Sequence, residues 1–186
     1  MNKEHLEVCA SDEWRETLRD LIIPYALADA RLGDDVLEVG AGPGLTTDLL
    51  RTDLEKLTAV ELDEDLAAAL AERLAGTNVE VVPADATAMP FEDGRFTGAV
   101  SFTMLHHVPT AALQDQLFAE VARVLRPGGT FVASDSVASA ELAEFHHDDV
   151  YNPVDPATVE DRMLGAGFRE VAVRANPFGW AATALR

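Results

Sequence analysis

The chain of 186 residues has a single cysteine, Cys9, and only two lysines, Lys3 and Lys56. One thiol excludes an internal disulfide and a cysteine-rich zinc site. Long apolar runs are missing: each is broken by charge, glycine or proline before the roughly 18 residues that would cross a bilayer. The opening stretch MNKEHLEVCASDEW also lacks the apolar core of a signal peptide. The chain is therefore read as cytoplasmic, with no membrane partner. Nowhere do Lys and Arg gather into a basic face, and 14 basic against 33 acidic side chains give a formal net charge of −19. Such a surface repels phosphate backbones, which disfavours nucleic acid as a partner. Neither a repeat with a period of about 20 to 50 residues nor a Pro/Ser/Gly-rich hinge is present, so one continuous domain, 1–186, is expected. Hydrophobic residues at 48% exclude disorder as the main state.

What is present is a regular alternation. From Asp12 to Leu32, Trp14, Leu18, Leu21, Ile22 and Tyr25 recur at helical spacing, with Ser11 or Asp12 as N-cap and Pro24 dividing the segment, so residues 1–33 are expected to form a helical cap. Short apolar runs then predict strands at Val36–Val39, Leu57–Leu62, Val79–Pro83, Phe96–Phe102 and Thr130–Ser134. Helices are predicted from Gly44 to Leu54, Asp63 to Ala75, Thr110 to Leu125 and Asp155 to Gly165, with Arg126–Gly129 as a turn. Two closing strands, Phe168–Ala175 and Trp180–Leu185, are joined tightly enough to require a hairpin. Strands alternating with helices need crossovers, so the fold class is α/β, a doubly wound and mostly parallel sheet. In such sheets ligands bind beyond the carboxyl ends of the strands.

At the first strand end stands Glu38-Val39-Gly40-Ala41-Gly42-Pro43-Gly44, a glycine turn opening a helix, where backbone can approach a nucleotide-like ligand closely. Leu45 occupies the place of the third glycine of a dinucleotide fingerprint, which makes a nicotinamide cofactor the weaker reading. The second strand ends in Glu61, 21 residues beyond Gly40, a position suited to accepting hydrogen bonds from both hydroxyls of a ribose. Asp63 competes for that role and is better explained as a helix N-cap.

The segments VLEVGAGPGLTT, VELDEDL, VVPADATAMPF, SFTMLHHV and EVARVLRPGGTFVASD together resemble class I S-adenosylmethionine-dependent methyltransferases, in the group of small-molecule enzymes related to ubiquinone/menaquinone methyltransferases. The resemblance runs from about Val36 to Ser136 and implies a Rossmann-like seven-stranded sheet of order 3-2-1-4-5-7-6 with strand 7 antiparallel. It further implies S-adenosyl-L-methionine as cofactor and S-adenosyl-L-homocysteine as product. Glu38, Gly40, Ala41, Gly42 and Gly44 would hold the methionine part. Glu61 would bind the ribose, Leu62 would lie against the adenine, Asp85 would take its amino group, the Ala86 amide would meet the adjacent ring nitrogen, and Phe102 would wall the methionine side. Asp85 also suits a turn, and Leu62 and Phe102 also suit plain packing. Thr97 stands where many relatives carry an acid. Residues 34–136 are then the cofactor-binding core, and residues 137–186 an acceptor-side loop, a helix and the hairpin.

No insertion large enough for a separate substrate lid is present, so the acceptor pocket must come from the N-terminal helices, the loop after strand 4 and Asp135–Pro156. Methyl transfer from a sulfonium is an in-line displacement, for which a general base is optional. If one is used, His106, His107, His146 and His147 are the candidates, with His106 first by its position after the fourth strand. The run His146-His147-Asp148-Asp149 has metal-ligating residue types, but four adjacent residues cannot converge on one ion without unusual backbone, so no metal site is expected. The expected partner is a small-molecule methyl acceptor, and the expected state a monomer or homodimer. A cofactor-binding regulatory subunit and a nicotinamide oxidoreductase are the alternatives.

Overall fold

The computed structural model describes residues 2–186. Seven strands form one sheet in the order β3-β2-β1-β4-β5-β7-β6. They are β1 (Asp35–Val39), β2 (Lys56–Glu61), β3 (Val79–Pro83), β4 (Phe96–Phe102), β5 (Leu125–Ser136), β6 (Arg169–Ala175) and β7 (Gly179–Leu185). Only the pairings made by β7 are antiparallel.

The central strands read as unbroken apolar runs because both of their faces are covered. Val36 faces one core with Val100 and Val132, whereas Leu37, Ala99 and Phe131 face the other. This two-residue alternation distributes the strands between two helical layers. On one face lie α3 (Ile23–Leu27) and α4 (Leu45–Leu50), with α5 (Glu64–Arg73) beyond them. On the opposite face lie α6 (Ala111–Val124) and α8 (Pro156–Gly165), through Leu117, Phe118, Val121, Val159 and Met163.

Ahead of the sheet, α1 (Lys3–Cys9) and α2 (Asp12–Thr17) are capped by Asn2 and Ser11, whose side chains accept from the backbone N–H groups of His5 and Trp14. Pro24 does not divide the segment into separate helices. It sits in the first turn of α3, preceded by one π-turn, Leu18–Ile22, in which the Ile23 N–H reaches back to the Leu18 carbonyl. The missing N–H and the bulky ring of proline are absorbed by this local widening instead of a break. One short helix was not expected from the sequence, α7 (Ala140–Phe145), within the segment expected to be loop, while α1 falls in the expected helical cap. The predicted turn Arg126–Gly129 lies inside β5 as a bulge. Phe96 pairs with Leu125 and Gly98 with Thr130, and the extra residues are held by Arg186, which accepts from Gly128 N–H and donates to the Gly129 carbonyl.

Thr97 has a structural account. Its buried hydroxyl donates to the Leu32 carbonyl at 2.8 Å and accepts the Asp35 N–H at 3.1 Å, joining the helical segment to the start of β1. Thr97→Val keeps the shape and strands both partners, so equilibrium denaturation should show a loss of about 1 to 2 kcal/mol, the cost of leaving buried groups unsatisfied. An unchanged denaturation midpoint would remove this hydroxyl from the account of stability.

Candidate functional site

At the carboxyl ends of β1, β2, β3 and β4 the chain encloses a cleft of about 550 Å³. Its first wall is the turn after β1. Gly40 N–H and Ala41 N–H both donate to the Val60 carbonyl, which fastens the turn to β2. Gly40 has φ +79°, and a Cβ there would come within 2.1 Å of Met104 Cγ, so only glycine lets the turn pass this close to the end of β4. Gly44 is the left-handed residue from which α4 starts. It lies against Leu70 and Arg73 and does not line the cleft.

Glu61 is fixed before any ligand arrives. Its Oε2 accepts the Gly42 N–H at 2.7 Å and its Oε1 accepts the Asp63 N–H at 2.9 Å. A carboxylate has about four acceptor positions, so roughly two remain for a diol. Asp63 caps α5 through the N–H groups of Asp65 and Leu66. Leu62, 69% exposed, projects on the cleft rim. Asp85 Oδ1 accepts from the backbone N–H and the hydroxyl of Thr87, forming the turn its sequence suggested, while Asp85 and Ala86 also line the cleft. Phe102 packs in the core with Ala26 of α3 and also lines the cleft.

Glu38 is placed differently from expectation: it is buried behind the glycine turn and is not part of the cleft surface. Burial pushes its carboxyl up to about 7, with Asp48 and Glu61 adding to the effect and the nearby Thr47 hydroxyl opposing it. Glu38 Oε2 and Thr47 Oγ1 have no hydrogen-bond partner.

The opposite wall comes from His5, Cys9, Trp14 and Leu18 of the first helices, from Thr103, Met104, His107, Val108 and Pro109 after β4, and from Asp149 and Val150. Thr103 has φ +51°, a strained conformation for a β-branched residue, held where β4 ends by its N–H bond to the Ser134 carbonyl. Among the described residues lining the cleft there is no Lys or Arg. His106, the first choice for a base, is corrected by the structure. Its ring is buried, with Nδ1 2.7 Å from Asp135 Oδ1, and it does not line the cleft, whereas its neighbour His107 does. The two rings stay close, with centroids 4.3 Å apart, on the 3-10 turn Leu105–His107.

The ionisable groups at this end are poor bases. Burial, reinforced by the neighbouring imidazoles, lowers His5 to about 4 and His107 to about 3. Burial pushes the Cys9 thiol up to about 11, which keeps it protonated and unreactive. For Asp149, burial opposes ionisation, but N–H bonds from Asn2 and Val150 outweigh it and hold the carboxyl below the usual range.

The residues on the cofactor side fit S-adenosylmethionine. A glycine turn and a carboxylate fixed with spare acceptor positions share the cleft lining with Leu62, Asp85 and Ala86, a set of groups that suits an amino-acid tail, a ribose and an adenine. A family profile described as "Methyltransferase domain" matches residues 37–133, more than half of the chain. A demethylmenaquinone methyltransferase of Clavibacter sepedonicus is 30% identical over 150 residues, covering 79% of this chain and 57% of that protein. A probable S-adenosylmethionine-dependent methyltransferase of Mycolicibacterium smegmatis is 30% identical over 116 residues, covering 62% of this chain and 43% of its own length. The chain thus spans about half the length of these curated relatives. A protein of known structure from Pyrococcus horikoshii OT3 shares the fold over 100% of this chain and 99% of its own, with a TM-score of 0.81 and 20% identity. No helix among the described residues is long and apolar enough to cross a membrane. With the profile covering β1 through β5 and the cleft at the strand ends that carry its motifs, this chain belongs to the methyltransferase domain family, as a class I S-adenosylmethionine-dependent methyltransferase.

Proposed function

We propose that the protein transfers a methyl group from S-adenosylmethionine to a small, neutral or apolar acceptor whose nucleophile needs no base from the enzyme. The observation that carries this reading is the lining of the acceptor end: Trp14, Leu18, Val108, Pro109 and Leu113 offer apolar surface, and among the described lining residues no Lys or Arg is there to receive a phosphate or carboxylate. When bound, the cofactor supplies a methyl group on a sulfonium, open to in-line displacement. The chain's own work is positional. Glu61 and the glycine turn orient the cofactor side, Thr103 and Met104 form the floor between the two sides, and Trp14 with Leu18 keeps water from the acceptor. Because His5 and His107 are neutral and weakly basic and the Cys9 thiol stays protonated, the acceptor's own acidity must deliver the nucleophile, as in an amine, a thiol or an enol. The high negative charge agrees with a small molecule in preference to a nucleic acid as acceptor.

Calorimetric titration with S-adenosylmethionine, S-adenosylhomocysteine and NADH side by side tests the cofactor half. Micromolar binding of the first two and none of the third is the expected result. Binding of NADH alone would overturn it.

A further inference from the structure

Four of the five histidines meet in one place, although the sequence scatters them. His5 comes from α1, His106 and His107 from the turn after β4, and His146 from the end of α7. One ring nitrogen from each lies within 4.8 Å of the others. The ring centroids of His106 and His107 are 4.3 Å apart, those of His5 and His146 4.5 Å, and those of His5 and His107 4.8 Å.

The hydrogen bonds around the cluster leave its inner nitrogens bare. His146 Nδ1 lies 2.6 Å from the Leu142 carbonyl, which can only accept, so Nδ1 carries the proton and the neutral ring presents an unprotonated Nε2. His106 Nδ1 bonds to Asp135 Oδ1, and the same carboxylate accepts the backbone N–H groups of His106 and Ser136. His106 Nε2, His107 Nε2 and His146 Nε2 are buried without a hydrogen-bond partner, and His5 Nδ1 has only the Asp149 carboxylate beside it. Three buried nitrogens without partners beside a fourth are costly, and a metal ion satisfies all of them at once. A carboxylate behind one ligand and a backbone carbonyl behind another is the support that fixes tautomer and ring direction at metal sites. Asp135 and Asp149 supply negative charge on either side, Asp149 Oδ2 lying 3.5 Å from His5 Nδ1.

We propose that His5, His106, His107 and His146 bind one divalent transition-metal ion of the zinc class. An all-imidazole set suits zinc, cobalt, nickel or copper and not calcium or magnesium, which require oxygen. Tetrahedral zinc at about 2.0 to 2.1 Å from each nitrogen sets the nitrogens about 3.3 Å apart, so the cluster closes by about 1.5 Å at its widest. Four protein ligands fill a tetrahedral ion and leave no open position, which makes the role structural. The ion staples α1 to the strand-end turn and to the loop after α7. Asn2 already stitches the same elements through the Phe145 and His147 carbonyls and Asp149. Because His5 and His107 also line the cleft, the staple shapes its acceptor wall.

The test uses tag-free protein stripped with a chelator, re-equilibrated with zinc and assayed for bound metal by mass spectrometry, with cobalt(II) as a spectroscopic substitute. One zinc per chain, a higher melting temperature and the intense visible absorption of tetrahedral cobalt are expected. His146→Ala should weaken binding at least about 10-fold, the lower end of what losing a mere supporting residue costs. His5→Ala, on a terminal helix, gives the same reading should the first variant not fold, and His147→Ala, exposed outside the cluster, should bind as the parent does. Absence of bound zinc, a pale octahedral cobalt spectrum, or binding that survives His5→Ala would each overturn the assignment.

Discussion

Glu61→Ala is expected to weaken S-adenosylmethionine binding by about 1.5 to 3 kcal/mol, the worth of hydrogen bonds to a charged group, or roughly 10- to 150-fold in Kd. The structure explains why the loss should reach the upper part of that range. Glu61 would face the ribose with acceptor positions left over, and it also holds the glycine turn in place through the Gly42 N–H and the start of α5 through the Asp63 N–H. Alanine therefore removes a ligand contact and frees two backbone donors that had fixed the shape of the cleft. Glu61→Gln separates these parts. The amide retains one acceptor oxygen and turns its other terminus into a donor, so one of the two N–H partners loses its bond. Binding should fall by an intermediate amount, with a melting temperature nearer the parent's. The measurement is titration calorimetry on folded variants, and parent-like affinity in Glu61→Ala would exclude Glu61 from the ribose site.

The legibility of Glu61 reflects the physics of a doubly wound sheet. β1, β2 and β4 are covered on both faces, so they appear as short apolar runs, and the residues directly after each run mark the binding edge. The glycine turn and Glu61 could be found this way, whereas Asp85, Phe102 and the strand order came from family resemblance. The other wall could be assigned to stretches of chain, the N-terminal helices, the loop after β4 and Asp135–Pro156, but not to individual residues. α1 and α7 have only 7 and 6 residues, too short to be stable alone, and they are held by Asn2, by Ser139 and by packing that no local pattern reports. The histidine cluster draws on three separate stretches of chain, whereas a sequence reading weighs neighbours, and His146 through Asp149 do not converge on one ion. Which of two adjacent histidines reaches the cleft depends on a single turn of 3-10 helix, a rotation below the resolution of periodicity. Glu38 shows the same limit. Its place in the motif marked it as a ligand contact, yet the pleat of β1 turns it under the glycine turn, away from the cleft surface.

That burial makes Glu38 a source of large pH dependence in the free protein as pH rises toward neutrality. Its carboxyl is raised from 4.5 to about 7, chiefly by burial, and Asp48 and Glu61 are the charged groups that add to the shift. For an acid whose folded value is raised, the native state binds its proton more tightly than the unfolded chain does. No penalty exists below the unfolded value near 4.5; it grows as pH rises toward 7 and is complete above 7. At 1.36 kcal/mol per pH unit, the penalty is on the order of 3 kcal/mol. Glu38→Gln cannot ionise, and its amide can donate to the unpartnered Thr47 hydroxyl. Parent and variant should therefore unfold at similar denaturant concentrations at pH 5, and the variant should be the more stable at pH 8 by up to about 3 kcal/mol. Comparing the two proteins cancels every titration they share, so the difference isolates this carboxyl. The cationic cofactor should oppose the penalty, because positive charge near the glycine turn favours the ionised form. S-adenosylmethionine should then stabilise the parent more at pH 8 than at pH 5, and the variant about equally at both. Identical pH profiles for the free parent and Glu38→Gln would show that the buried carboxyl carries no such linkage.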